Sequence, residues 1–128
     1  MQTLVPIASE SASVMVVDDD PRMRSALEAE FEDMDISSSL FDNAFDLLRA
    51  FCDHQPPSCI FLDLILPQMN GIECAKQLRS LGYTNPIIIF SALYDPEMRQ
   101  KALDSGANDY LLKADFFKNL PLILKRNT

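Results

Sequence analysis

Four polar stretches of this chain each stand directly behind an apolar run. Asp18-Asp19-Asp20 follows VMVV (14–17), Asp63 follows CIFL (59–62), Ser91 follows IIIF (87–90) and Lys113 follows YLL (110–112). Asp63 is the most demanding, because CIFLDLILP sets one acid among uncharged residues. Burying an isolated carboxylate is costly unless a cation or a set of donors meets it. If the four runs lie side by side with their ends aligned, several carboxylates, one hydroxyl and one ammonium share a crevice. Clustered carboxylates raise one another's pKa unless a cation intervenes. Oxygen-only ligands favour a hard cation such as Mg2+, which uses a few carboxylates and keeps several waters. Asp63 is therefore expected to be met by Lys113 and, since carboxylates outnumber cations there, by a bound metal. Taken singly, Asp20 is a helix cap and Lys113 a surface lysine. The joint placement of Asp18, Asp19, Asp63, Ser91 and Lys113 is what argues for a site.

The elements that must position these groups are legible in the pattern. The four apolar runs are continuous rather than alternating, as in strands of a parallel sheet covered on both faces. A weaker fifth strand is predicted in ISSSLF (36–41), whose serines suit a sheet edge. Asp20-Pro21 and Asp95-Pro96 each combine an N-cap with Pro at the first helical position. Met23, Ala26, Leu27, Phe31 and Met34 recur at helical spacing, as do Ala44, Leu47, Leu48 and Phe51. Ile72, Ala75, Leu78 and Leu81 mark a third helix closed by Gly82, and Gly106 ends the fourth. The fourth has a thin apolar face (Met98, Ala102, Leu103), which predicts a loosely held element. A last short helix is expected from about Asn119-Leu120-Pro121. The order βαβαβαβαβα with right-handed crossovers predicts one α/β domain with helices on both faces of a parallel sheet. Open sheets of this kind place ligands at the carboxyl ends of their strands.

Composition narrows the function. Eleven basic against nineteen acidic residues give a net charge of −8, which argues against direct contact with nucleic acid. No apolar run approaches the roughly 18 residues that cross a bilayer. Residues 1–13 are expected to form a flexible leader without the features of a secretory signal, and a cytoplasmic location follows. Cys52, Cys59, Cys74 and His54 form no zinc-like pattern; Cys59 and Cys74 are expected to be buried thiols.

At the strand-end residues the chain resembles the receiver domains of two-component response regulators, from residue 14 to about 126. VVDDDPRMR resembles the family's acidic-pair segment, FLDLILPQMNG its phosphoacceptor segment with Pro67 and Gly71 at the expected offsets, FSA its switch-hydroxyl segment, and GANDYLLK the segment ending in its lysine. The resemblance implies a single flavodoxin-like doubly wound (βα)5 domain over residues 14–128, with a five-stranded sheet of order 2-1-3-4-5. It implies that Asp63 is phosphorylated by a sensor histidine kinase or phosphotransfer protein. Asp18, Asp19, Asp63 and the carbonyl of Ile65 would hold Mg2+ or Mn2+, while Lys113 would hold a phosphoryl oxygen. Ser91 would swing toward the phosphoryl group, Tyr110 would turn inward, and the surface of the fourth helix, fifth strand and final helix would change. Such a chain catalyses at most its own phosphotransfer and dephosphorylation. In the family, the residues two places after the acceptor and two after the switch hydroxyl line the path of the hydrolytic water; here they are Ile65 and Leu93.

Two departures stand out. Ala114 replaces the Pro that usually follows the lysine, and the tail KADFFKNLPLILKR looks more like receivers fused ahead of sensor or cyclic-dinucleotide output domains. A cis Lys113-Ala114 bond would cost about 2.5–4 kcal/mol, against roughly 1.5–3 kcal/mol for one hydrogen bond of the lysine to a charged partner. A trans bond is therefore predicted, with a rearranged loop over residues 114–118 and a lysine that still reaches Asp63. Three other readings compete. A receiver-like binding module would signal without phosphorylation. A Mg-dependent aspartyl phosphatase of the haloacid-dehalogenase type would share the chemistry, and Asp18-x-Asp20 mimics its DxD, but its nucleophile belongs on the first strand. A flavin carrier would need a phosphate-cradling loop where DDDP would repel the phosphate.

Overall fold

Each apolar run is a strand. The computed structural model describes residues 12–127. In it, β1 (Ser13–Val17), β2 (Ser37–Phe41), β3 (Cys59–Asp63), β4 (Ile87–Ser91) and β5 (Asp109–Leu112) pair in parallel in the order β2-β1-β3-β4-β5. Of the residues expected as a leader, 1–11 lie outside the described ones, and Ser13 begins β1. The helices are α1 (Pro21–Asp33), α2 (Ala44–Asp53), α3 (Gly71–Ser80), α4 (Pro96–Asp104), α5 (Lys113–Lys118) and α6 (Leu120–Asn127). None of them is long and apolar enough to cross a membrane.

The continuity of the runs has a direct cause: successive residues of a strand face opposite sides, and both sides are covered. Met15, Val17, Ile60, Leu62, Ile87 and Ile89 pack with residues of α2, α3 and α4. Val14, Val16, Cys59, Phe61, Ile88 and Phe90 pack on the other face with Leu27, Phe31, Phe116, Leu120 and Ile123 from α1, α5 and α6. β2 lies at the edge, with Ser37 and Ser39 exposed.

The caps follow the sequence. Asp20 Oδ1 accepts from the Arg22 N–H at 2.9 Å, and Asp95 Oδ1 from the Glu97 N–H at 2.9 Å. Asn70 and Glu73 form a reciprocal capping box at the start of α3. Leu81, assigned from the sequence to the apolar face of α3, instead caps the helix and is exposed, because the chain turns out of the helix at Gly82, whose φ is 93°. On α4 only Ala102 is buried, as its thin apolar face predicts.

One arginine ties the far end of the sheet together. Arg79 of α3 donates to the carbonyls of Tyr83 and Asn85 (both 2.8 Å), to Gly106 O (2.8 and 3.0 Å) and to Asn108 Oδ1 (3.0 Å). Gly106 has φ 109°, and a Cβ there would lie 2.7 Å from Arg79 Cγ, so glycine is required on both counts.

The chain after Lys113 corrects one expectation. Residues 114–118 are not a loop but most of α5, into which β5 runs directly. Ala114 supplies an N–H and a free φ where Pro would supply neither. Phe116 is fully buried, with its ring edge-on to Phe61 (5.0 Å) and Phe90 (4.6 Å), and that packing holds the short helix. There is no cis peptide among the described residues, and α6 begins at Leu120, both as expected.

Candidate functional site

The strand register brings the four polar stretches to one edge. Val17 pairs with Leu62, Asp63 with Phe90, and Ser91 with Leu112. The residues that follow Val17 and Leu112, Asp18 and Lys113, therefore flank Asp63 and Ser91. Asp18 is fully buried and Asp63 nearly so, while Asp19 is exposed. One carboxylate oxygen from each of the three lies within 4.8 Å of the others. Among the described residues this is the one cluster of three or more side chains able to hold a metal.

Lys113 answers the buried charge. Its Nζ lies 3.0 Å from Asp63 Oδ2 and 3.2 Å from Asp18 Oδ2, and it donates to Asp18 Oδ1 at 3.4 Å. Its ammonium also sits 5.7 Å from the centroid of the Phe90 ring. The Ile65 N–H donates to Asp63 Oδ1 at 3.2 Å. This bond brings the Ile65 backbone to the acceptor, while its side chain points to solvent, 68% exposed. Gly71 closes the β3–α3 loop behind the acid: a Cβ there would lie 2.5 Å from the Asp63 carbonyl oxygen.

These groups do not cancel. Burial first, and the Asp18 charge besides, push Asp63 up to about 6 against the opposing pull of Lys113 and the Ile65 N–H. Burial draws the Lys113 pKa down, but the two carboxylates outweigh it and hold the ammonium above its ordinary value. At neutral pH the pocket thus keeps an excess of negative charge. Asp18 Oδ2 is buried and receives no hydrogen bond, Lys113 being at ion-pair distance only. A buried, under-satisfied carboxylate oxygen facing two further carboxylates fits a hard divalent cation. The buried thiols Cys59 and Cys74 take no part; burial pushes both up to about 12.

Ser91 and Tyr110 converge on a single residue, Leu93. The Leu93 N–H donates to Ser91 Oγ at 3.3 Å, and the Tyr110 hydroxyl donates to Leu93 O at 3.1 Å. Ser91 is buried, but its hydroxyl is engaged with Leu93. The Tyr110 ring is already inward, 2% exposed and 6.1 Å from the Tyr94 ring. In this conformation no inward turn is left for it to make. Leu93, Tyr94 and Ile65 are the exposed apolar residues around an open groove of about 470 Å³ whose lining includes Ser91, Met98 and Tyr110.

Sequence reasoning missed Arg24, whose Nη1 donates to the Asp18 carbonyl at 2.7 Å. The available signal was a basic pair in the first turn of a helix that carries no acid there.

A doubly wound sheet with an acidic triad and a lysine at its carboxyl edge defines a receiver domain. The family model for the response regulator receiver domain matches residues 14–124, and the chain belongs to that family. Transcriptional regulatory protein KdpE of Mycobacterium tuberculosis is 35% identical over 119 residues, covering 90% of this chain and 52% of that protein. The chain thus spans about half the length of this curated relative. The Vibrio cholerae chemotaxis protein CheY4 shares the fold, with a TM-score of 0.85 at 24% identity over 91% of this chain and 98% of that one. The receiver domain of the sensor histidine kinase PA1611 from Pseudomonas aeruginosa has a TM-score of 0.80 at 25% identity over 91% and 97% of the two chains. That structure holds a magnesium ion coordinated in its active-site cleft.

Proposed function

We propose that this receiver domain takes a phosphoryl group onto Asp63 from a phosphohistidine of a sensor histidine kinase or phosphotransfer protein. The observation that carries the reading is the placement of Asp63: buried at a strand end, 3.0 Å from Lys113 and clustered with two further carboxylates. Asp63 attacks phosphorus, the N–P bond breaks, and its electron pair returns to the donor imidazole. Lys113 holds a phosphoryl oxygen, and the Ile65 N–H keeps the carboxylate aimed. Mg2+ or Mn2+ held by Asp18, Asp19, Asp63 and the Ile65 carbonyl would neutralise charge on the incoming group. The chain turns over no separate substrate; it catalyses its own phosphotransfer and dephosphorylation. It works in the cytoplasm, without direct contact with nucleic acid or membrane, and passes its state to a fused or separate output domain.

The Ser91 oxygen accepts from the Leu93 N–H, and its proton is the donor for a new phosphoryl oxygen; a hydroxyl that turns toward that oxygen is drawn away from Leu93. Because Leu93 also carries the bond to Tyr110, a Ser91 that leaves it alters the β4–α4 loop and the face made by α4, β5 and the C-terminal helices. The inward Tyr110 favours a second reading, a receiver that binds its partner without phosphorylation.

Mass spectrometry after incubation with acetyl phosphate and Mg2+ tests the proposal. One added phosphoryl group is expected, absent with chelator and absent in Asp63→Asn. A chain that gains none supports the second reading, and modification persisting in Asp63→Asn overturns the assignment of the acceptor.

The side chains of Ile65 and Leu93 cannot hydrogen-bond a hydrolytic water. Ile65→Asn is therefore expected to shorten the phosphate lifetime on the order of tenfold, the effect of one orienting hydrogen bond of about 1.4 kcal/mol to that water. Equal decay of the two proteins, followed by loss of the added mass, would show that the apolar pair does not limit hydrolysis.

A further inference from the structure

Asp18 is held at every polar atom but one. Its N–H donates to Phe41 O of the edge strand at 3.1 Å, and its Oδ1 accepts from the Asp20 N–H at 2.9 Å and from Lys113 at 3.4 Å. Its carbonyl accepts from Arg24 Nη1 at 2.7 Å, the shortest of these bonds. Only Oδ2, inside the pocket, receives none.

The residue type at position 24 is a local misfit. Pro21 opens α1, so Arg24 lies near its N-terminal end, where the helix macrodipole disfavours a cation. Arg22 beside it is met by the N-cap Asp20, 3.4 Å from its Nε, whereas among the described residues Arg24 has no carboxylate at ion-pair distance. A residue that breaks a local rule while making a short, half-buried contact at a site has a reason in the site. The contact is with the carbonyl of the peptide that joins Asp18 to Asp19. Fixing that oxygen fixes the plane of the peptide, and with it the directions in which the two side chains leave the backbone.

The geometry points to Arg24 as a positioning residue for the acidic pair: its guanidinium holds the Asp18-Asp19 peptide so that Asp18 Oδ2 and the Asp19 carboxylate converge on one divalent cation. This inference rests on the metal reading above. It also has a distinctive sign. As a charge alone, Arg24 repels a cation, and its removal would tighten Mg2+ binding. As a positioning group, its removal weakens binding, as the loss of outer partners of metal ligands does.

Isothermal titration of the 128-residue chain with Mg2+ reads that sign. R24M, which keeps the stem and loses both charge and donor, is expected to bind Mg2+ about 10–100-fold more weakly. R24K, which keeps a donor, is expected to fall between R24M and the original chain. Unchanged or tighter binding in R24M overturns the inference. Thermal unfolding in chelator reports whether each variant is folded. Should R24M fail to fold, R24Q decides by the same sign, weaker binding supporting the inference and equal or tighter binding overturning it. An original chain that takes up no Mg2+, or takes it up equally as Asp18→Asn, sinks the metal reading itself and the Arg24 assignment with it.

Discussion

Asp63→Asn is expected to stabilise the metal-free chain at pH 8, by on the order of 3 kcal/mol at about 1.4 kcal/mol per pKa unit, while abolishing its phosphorylation. Burial and Asp18 raise the Asp63 pKa from 3.8 to about 6, so the folded chain holds a proton that the unfolded chain has released. Below 3.8 both states are protonated, and the stability the acid contributes is fully present. Between 3.8 and about 6 the folded state binds more protons, and stability falls as pH rises. Above that window the cost of the buried charge is complete, and asparagine removes it while leaving Lys113 paired with Asp18. Urea unfolding in chelator at pH 8 and pH 4 checks the argument, with the gap between the two proteins closing at pH 4. Equal stability at pH 8 would mean that Lys113 already compensates the charge in full. Mg2+ should stabilise the original chain more than the variant, since its binding to the folded state adds to stability.

Lys113→Met has the opposite sign. The variant keeps an apolar stem near Phe90 but leaves Asp18 and Asp63 facing each other without the ammonium. Removing one partner of a buried ion pair is strongly destabilising, here on the order of 3 kcal/mol in chelator at pH 8. The loss should shrink toward pH 4, where Asp63 takes up its proton, and it should shrink when millimolar Mg2+ replaces the missing charge. Phosphorylation by acetyl phosphate should slow about 100-fold or more, the usual cost of losing one donor to a developing anion. A variant as stable as the original chain in chelator would show that water already screens the carboxylates. An unchanged rate would remove Lys113 from the chemistry.

The pocket was legible because its members are charged residues set against apolar runs. Asp63 inside CIFLDLILP and Lys113 behind YLL are costly where they stand, and a parallel sheet aligns the ends of the runs. Helix starts were legible for a similar local reason, since Asp20-Pro21 and Asp95-Pro96 carry their own cap chemistry. What was not legible depends on contacts that leave no pattern. Arg24 and Arg79 spend their donors mostly on backbone carbonyls, which every residue carries, so no partner side chain marks them. The α5 helix was missed because Ala114 was weighed only as an absent Pro. Its formation depends on Phe116 reaching Phe61 and Phe90, residues far away in the chain. The inward Tyr110 depends on one hydroxyl meeting the Leu93 carbonyl, a matter of loop path rather than residue type.

The Arg79 clamp makes α4 a cantilever. Its built-in end is the turn at Gly106, bolted to α3 by the guanidinium; its free end is Pro96, three residues beyond Leu93. The nine-residue beam is about 13 Å long, so a displacement of 1 Å at the tip tilts it by about 4°. With only Ala102 seated in the core, little along its span resists that tilt. A tug on the Leu93 peptide is thus geared into rotation about a fixed fulcrum, and whatever rests on the outer face of α4 meets a change of angle rather than a slide.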